Sequence, residues 1–109
     1  MRQIPCTIAV LLAVALAGCA AALPPVLAAD IAYAQQQWPE STAETLQQGR
    51  QRYVVRCSNC HALIVPSAHQ PGRWRKEINE MSKRAHVLPL ERDLILQYLV
   101  TQSRDATKP

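Results

Sequence analysis

Two cysteines three positions apart, with a histidine directly after the second, constrain this chain more than any other feature: Cys57-Ser58-Asn59-Cys60-His61. Cys6 lies in an apolar leader and Cys19 at its end, so Cys57 and Cys60 are the thiols left to the compact part of the chain. Such a group serves a redox dithiol, a zinc site or a covalently attached haem. A thioredoxin-like dithiol sits at a strand-to-helix turn, and no strand pattern precedes Cys57. A structural zinc takes four ligands, which Cys57, Cys60 and two of His61, His69 and His86 could supply. Haem gives every chemical group of the motif a role. Two thiols at this spacing add across the two vinyl groups on one porphyrin edge, and the adjacent imidazole reaches the iron. Cys57 and Cys60 would then form the thioethers and His61 the proximal ligand through Nε2, with its Nδ1–H held by a backbone carbonyl near Pro66.

The start of the chain reads as an export signal. Met1 and Arg2 give a short positive end, and Ile8 to Ala17 is an unbroken apolar run, too short to span a bilayer. It ends in Leu16-Ala17-Gly18-Cys19, which resembles the lipobox of bacterial lipoproteins. That resemblance implies cleavage before Cys19 and lipid on its sulfur, enough acyl chain to anchor the protein stably. The alternative is an ordinary secretory cleavage after Ala32-Tyr33-Ala34. Loss of Arg2 lowers the formal charge from +4 to +3. No basic run with interleaved aromatics suggests nucleic acid.

Pro24-Pro25 and Trp38-Pro39 punctuate an Ala/Pro/Gln-rich stretch that reads as a flexible tether. The expected organisation is therefore a leader over 1–18, a tether over 19–40, a domain over 41–104 and a tail over 105–109. A domain of that size buries only a small core and commonly needs a staple, a metal or a prosthetic group. Its pattern predicts three helical segments. Ser41 or Thr42 can cap the first, where Leu46, Gly49, Tyr53 and Cys57 share a side. Pro71 to Ala85 places Trp74, Ile78, Met81 and Ala85 on one face. The last, about Leu90 to Gln102, has Glu91 and Asp93 near its positive end and a stripe of Leu90, Leu94, Ile95, Tyr98 and Leu99.

Gly49-x3-Tyr53-x3-Cys57-x2-Cys60-His61, followed by a terminal helix ending in Tyr98-Leu99, resembles the class I cytochromes c over about sixty residues. The resemblance implies an all-α fold, a small cytochrome c fold of about three helices wrapped around one covalently bound haem c. It also implies that the first and last helices cross at Gly49, with Gly49 and Tyr53 packed on Leu94 and Tyr98. The sixth iron ligand it implies is Met81. His69 and His86 remain alternatives, because only twenty positions separate His61 from Met81, fewer than is usual in the family. The shortened middle leaves haem edge exposed or covered by a partner. Trp74, Arg73 and Arg75 are candidates to meet the propionates, since indole N–H and guanidinium groups suit a carboxylate.

By that resemblance the chain is a periplasmic, membrane-tethered carrier of single electrons rather than an enzyme. Its partners would be redox proteins, with the membrane reached through lipid on Cys19. The alternative is a haem protein that binds or senses a small molecule, or acts as a peroxidase, through an open or displaceable sixth position.

Overall fold

The computed structural model describes residues 23–106. Cys19 and the leader lie outside them. The described chain forms helices α1 (Ala28–Ala34), α2 (Ala43–Cys57), α3 (Pro71–Arg84) and α4 (Pro89–Gln102), with a 3₁₀ turn at Pro66–Ala68. No strand occurs among the described residues, in keeping with an all-α fold.

Each helix begins where its sequence allows. Thr42 caps α2 by a reciprocal pair, its Oγ1 accepting from Thr45 N at 3.2 Å while Thr42 N donates to Thr45 Oγ1 at 2.9 Å. Such a cap contributes roughly 1 kcal/mol. Ser41 is buried instead and donates its hydroxyl to Gln97 Oε1 at 2.6 Å. Pro71 and Pro89 open α3 and α4 at first-turn positions, where the missing N–H costs no helical bond. The end of α3 is set by His86, whose φ of 53° turns the chain left-handed so that Val87 N reaches Ser82 O at 2.9 Å. This six-to-one closure is one of the bonds of a Schellman ending, with histidine where glycine is commonest.

Helix α4 is the centre of the fold and packs on α1, α2 and α3. Ile95, Tyr98, Leu99 and Val100 are almost wholly buried. Because neighbours lie on several sides, Gln97 and Thr101 are buried too. Leu90, expected in the stripe, is instead 73% exposed; the neighbouring Glu91 is buried and pairs with Arg52 at 3.2 Å and Arg56 at 3.1 Å. Gly49 lies at the crossing of α2 and α4. A side chain there would run into the carbonyl oxygen of Leu94 and stand 3.0 Å from Tyr98 Cβ.

From Leu23 onward the stretch expected to be a tether is packed. Leu23 and Ala34 are buried. Tyr98 donates its hydroxyl to Pro24 O at 2.7 Å, and Arg50 donates to Leu23 O at 3.2 Å. The prolines that suggested an open linker fall outside α1, and a seven-residue helix draws its stability from such docking rather than from propensity.

Asp30 fixes that docking. It is buried, accepts from Leu27 N at 2.7 Å and from Gln102 Nε2 at 2.9 Å, and pairs with Arg104 Nη1 at 2.5 Å. Burial alone would raise its pKa, yet the bonds from Leu27, Arg104 and Gln102 and the Arg104 charge together bring it below 3.8. A depressed carboxylate stabilises the fold above its unfolded pKa and loses that contribution as pH falls through the folded one. We therefore expect Asp30→Asn to lower the thermal midpoint at neutral pH, with the gap from wild type closing as pH falls through and below the ordinary carboxylate range. Melting curves across that range check it; a gap independent of pH would contradict it.

Candidate functional site

The site begins on α2. Counting on from Gly49, Tyr53 and then Cys57 follow at four-residue steps, so the helix that crosses α4 also delivers its last thiol to the same side. Tyr53 is buried; its hydroxyl donates to Ile64 O at 2.7 Å and accepts from Ile64 N at 3.1 Å. Burial pushes its phenol up to about 12, so it stays a neutral donor at every ordinary pH. The loop after α2 is fixed a second time at Pro66, whose carbonyl accepts from Trp74 Nε1 at 2.8 Å. Trp74 also meets Tyr53 edge-on, with ring centroids 6.1 Å apart. Cys60 and His61 are carried on this loop, between Cys57 and its fixed points.

These elements enclose a cavity of about 260 Å³. Cys57, Cys60, His61 and Met81 all line it, with Tyr53, Ile64, His69, Trp74, Ile78 and Ala85 supplying more of the wall. The face predicted for α3 holds in full, since Trp74, Ile78, Met81 and Ala85 each reach it. Met81 is half-buried, whereas Cys60 and His61 are exposed. Arg56, Glu77 and Arg84 add charge.

His61 Nδ1 stands 2.8 Å from Ala62 O. A donor at Nδ1 leaves the lone pair on Nε2, the tautomer a metal ligand needs. The carbonyl is that of the next residue, not one near Pro66, whose oxygen serves Trp74. Both thiols are free, and burial pushes that of Cys57 up, with Cys60 nearby adding to the effect.

Several expected contacts are not brought to the cavity. His86 is exposed, does not line it, and serves to end α3. Arg73 pairs with Glu77 at 3.6 Å, and Arg75 bonds to Gln37 and lies over the Trp38 ring at 5.3 Å. Neither lines the cavity, and the Trp74 N–H is already taken, so none of the three is free there for a carboxylate. The sequence reading also passed over Ile64 and Arg56. Ile64 had a signal: it belongs to an apolar run in a loop, Leu63-Ile64-Val65, of which Leu63 packs on the core while Ile64 turns to the cavity.

The dithiol chemistry fits poorly. A reactive thiol is commonly activated at a helix N-terminus, whereas Cys57 closes the C-terminus of α2, where the helix dipole opposes a thiolate. Among the described residues no group of three or more His, Cys, Asp and Glu side chains is arranged to hold a metal ion. A haem needs less from that set. Its iron takes one imidazole and one thioether, and its ring takes two thiols and an apolar wall, all of which border this cavity. Pockets that engulf a ligand span roughly 300–1,000 Å³. A macrocycle would therefore fit this cavity of about 260 Å³ only in part, with the exposed Cys60 and His61 at its border.

No family model, no curated protein and no solved structure matches this chain.

Proposed function

We propose that the chain is a monohaem c-type cytochrome of the class I kind, passing single electrons between redox protein partners in the periplasm, held to a membrane by lipid on Cys19. The observation that carries this reading is the convergence of Cys57, Cys60, His61 and Met81 on one largely apolar cavity. Bound haem would supply an iron that cycles between Fe(II) and Fe(III).

The protein's part is to hold and tune. Cys57 and Cys60 give two thioether links, and His61 presents Nε2 with Nδ1 kept on Ala62 O. Met81 stands on α3, flanked by Ile78 and Ala85, where its thioether would be available to the iron and, as a ligand together with histidine, would favour Fe(II) and raise the potential. Tyr53 and Trp74, each fixed by a hydrogen bond to the loop, keep that wall from collapsing. Exposed Val55, at 59%, and Val65, at 39%, leave apolar surface beside the motif for contact with a partner. No acid–base pair adjoins the motif in sequence, in line with a carrier rather than an enzyme.

A second reading, a small-molecule binder in which Met81 gives way, draws on one observation. Met81 also borders a second, small apolar void of about 10 Å³ shared with Cys57, Ala85 and Ile95, so its packing is not complete on that side.

Visible spectra of full-length protein, produced with a cytochrome c maturation system, separate the two. A carrier gives sharp reduced bands, a weak long-wavelength ferric band that Met81→Ala abolishes, and indifference to carbon monoxide. Rapid carbon monoxide binding by the wild type would overturn the carrier reading in favour of the second.

A further inference from the structure

His69 is a polar member of the cavity wall whose bonding the protein leaves incomplete. It ends the 3₁₀ turn, its backbone N–H donating to Pro66 O at 3.3 Å. Its ring leans on Trp74, with centroids 5.0 Å apart and planes at 59°. Trp74 is itself fixed by Pro66 and Tyr53. The imidazole is thus placed by stacking on an anchored indole. Its Nδ1 is buried with no hydrogen-bond partner. Orphaned buried N–H groups are rarer than orphaned acceptors, which favours the tautomer that carries its proton on Nε2. His69 lines the cavity and is half-buried, and with Nδ1 shielded, Nε2 is the ring nitrogen left to meet a ligand there.

Position decides what that donor meets. Cys57 shares a void with Met81 and Ala85, so the thiol lies by the C-terminal half of α3. His69 stacks instead on Trp74, seven residues before Met81 and about 10 Å along the helix axis. In a haem the two carboxylates sit on the edge opposite the two vinyl groups that become thioethers. With the thioethers at Cys57, the anionic edge would therefore fall toward the Trp74 end. Arg84 lies one turn beyond Met81, at the other end, and Arg56, beside Cys57, is engaged by Glu91.

We infer that His69 donates its Nε2–H to a propionate oxygen of the haem and so anchors the carboxylate edge opposite Cys57 and Cys60. This rests on the haem reading above. His69 is a binding residue for the cofactor's periphery and does not reach the iron.

Resonance Raman spectra of the holoprotein in the propionate-bending region, compared among wild type, His69→Leu and His69→Gln, test it. The inference predicts a shifted propionate band in His69→Leu, and a return toward wild type in His69→Gln, which keeps an N–H donor. The Met81 long-wavelength band should persist in both. An unchanged propionate band in His69→Leu overturns the inference, and so does a wild type that lacks the Met81 band and gains it in His69→Leu, which would put His69 on the iron. If His69→Leu yields no holoprotein, the reduced wild type decides: a nuclear Overhauser contact between the His69 Nε2 proton and a propionate methylene supports the assignment, and its absence overturns it. Wild type without covalent haem fails at an earlier point, overturning the functional reading itself.

Discussion

Gly49→Val is expected to abolish the cooperative unfolding transition, because α2 and α4 could no longer close on each other. A Cβ at position 49 collides with the Leu94 carbonyl oxygen and stands 2.8 Å from the carbonyl carbon. Those atoms belong to helix backbone and cannot swing aside as a side chain could. The mildest replacement, Gly49→Ala, gains about 1 kcal/mol of helix propensity. Overpacking typically costs about 1–3 kcal/mol and more where backbone must move, so the net effect is destabilising. The bulkier, branched valine adds to the clash, and the residues it would displace, Tyr98 and Leu94, belong to the most buried helix. Thermal melts followed by circular dichroism check both variants. An alanine variant as stable as wild type would show that the crossing is looser than its geometry.

The Cys57→Ala/Cys60→Ala double variant is expected to lose all covalently attached pigment. Each single variant keeps at most one thioether and should lose most of its holoprotein. His61→Ala removes the imidazole whose Nδ1 rests on Ala62 O, and should abolish normal ligation even where thioethers form. Haem staining after denaturing electrophoresis reads the first effect, and absorption spectra the second. In haem-free polypeptide the change itself costs little packing, because Cys60 is exposed and Cys57 only partly buried. Full covalent haem in the double variant would leave the motif without its proposed role.

The parts of the fold that were legible share a physical cause. Along α2, Leu46, Gly49 and Tyr53 are buried and their flanks exposed, so a period of 3.6 stands out. The same holds for the inner face of α3. Helix α4 has neighbours on several sides, which blurs the stripe: Thr101 is as hidden as Leu99, Gln97 is buried too, and Leu90 faces water. The N-terminal segment was illegible for a different reason. Its order comes from bonds distant in sequence, Pro24 to Tyr98 and Asp30 to Arg104, which no local pattern announces.

The site divides in the same way. Cys57, Cys60 and His61 are named by a local spacing, and Met81 by a helical face seven residues on from Trp74. The partners of individual atoms were not legible. Trp74 was a candidate for a carboxylate and binds Pro66 O; His61 was expected to use a carbonyl near Pro66 and uses Ala62 O. Both depend on where the loop turns back after α2, and Tyr53 fixes that by its two bonds to Ile64. A hydroxyl eleven residues upstream carries no mark in the sequence of what it will hold.

The most direct test of the central claim is the intact mass of the purified, denatured protein after expression with a cytochrome c maturation system. The account predicts the polypeptide mass plus one haem, still attached after denaturation and absent when both Cys57 and Cys60 are replaced. A polypeptide of unmodified mass at these cysteines, with pigment either missing or removed by denaturation, would contradict it and return Cys57, Cys60 and His61 to another chemistry.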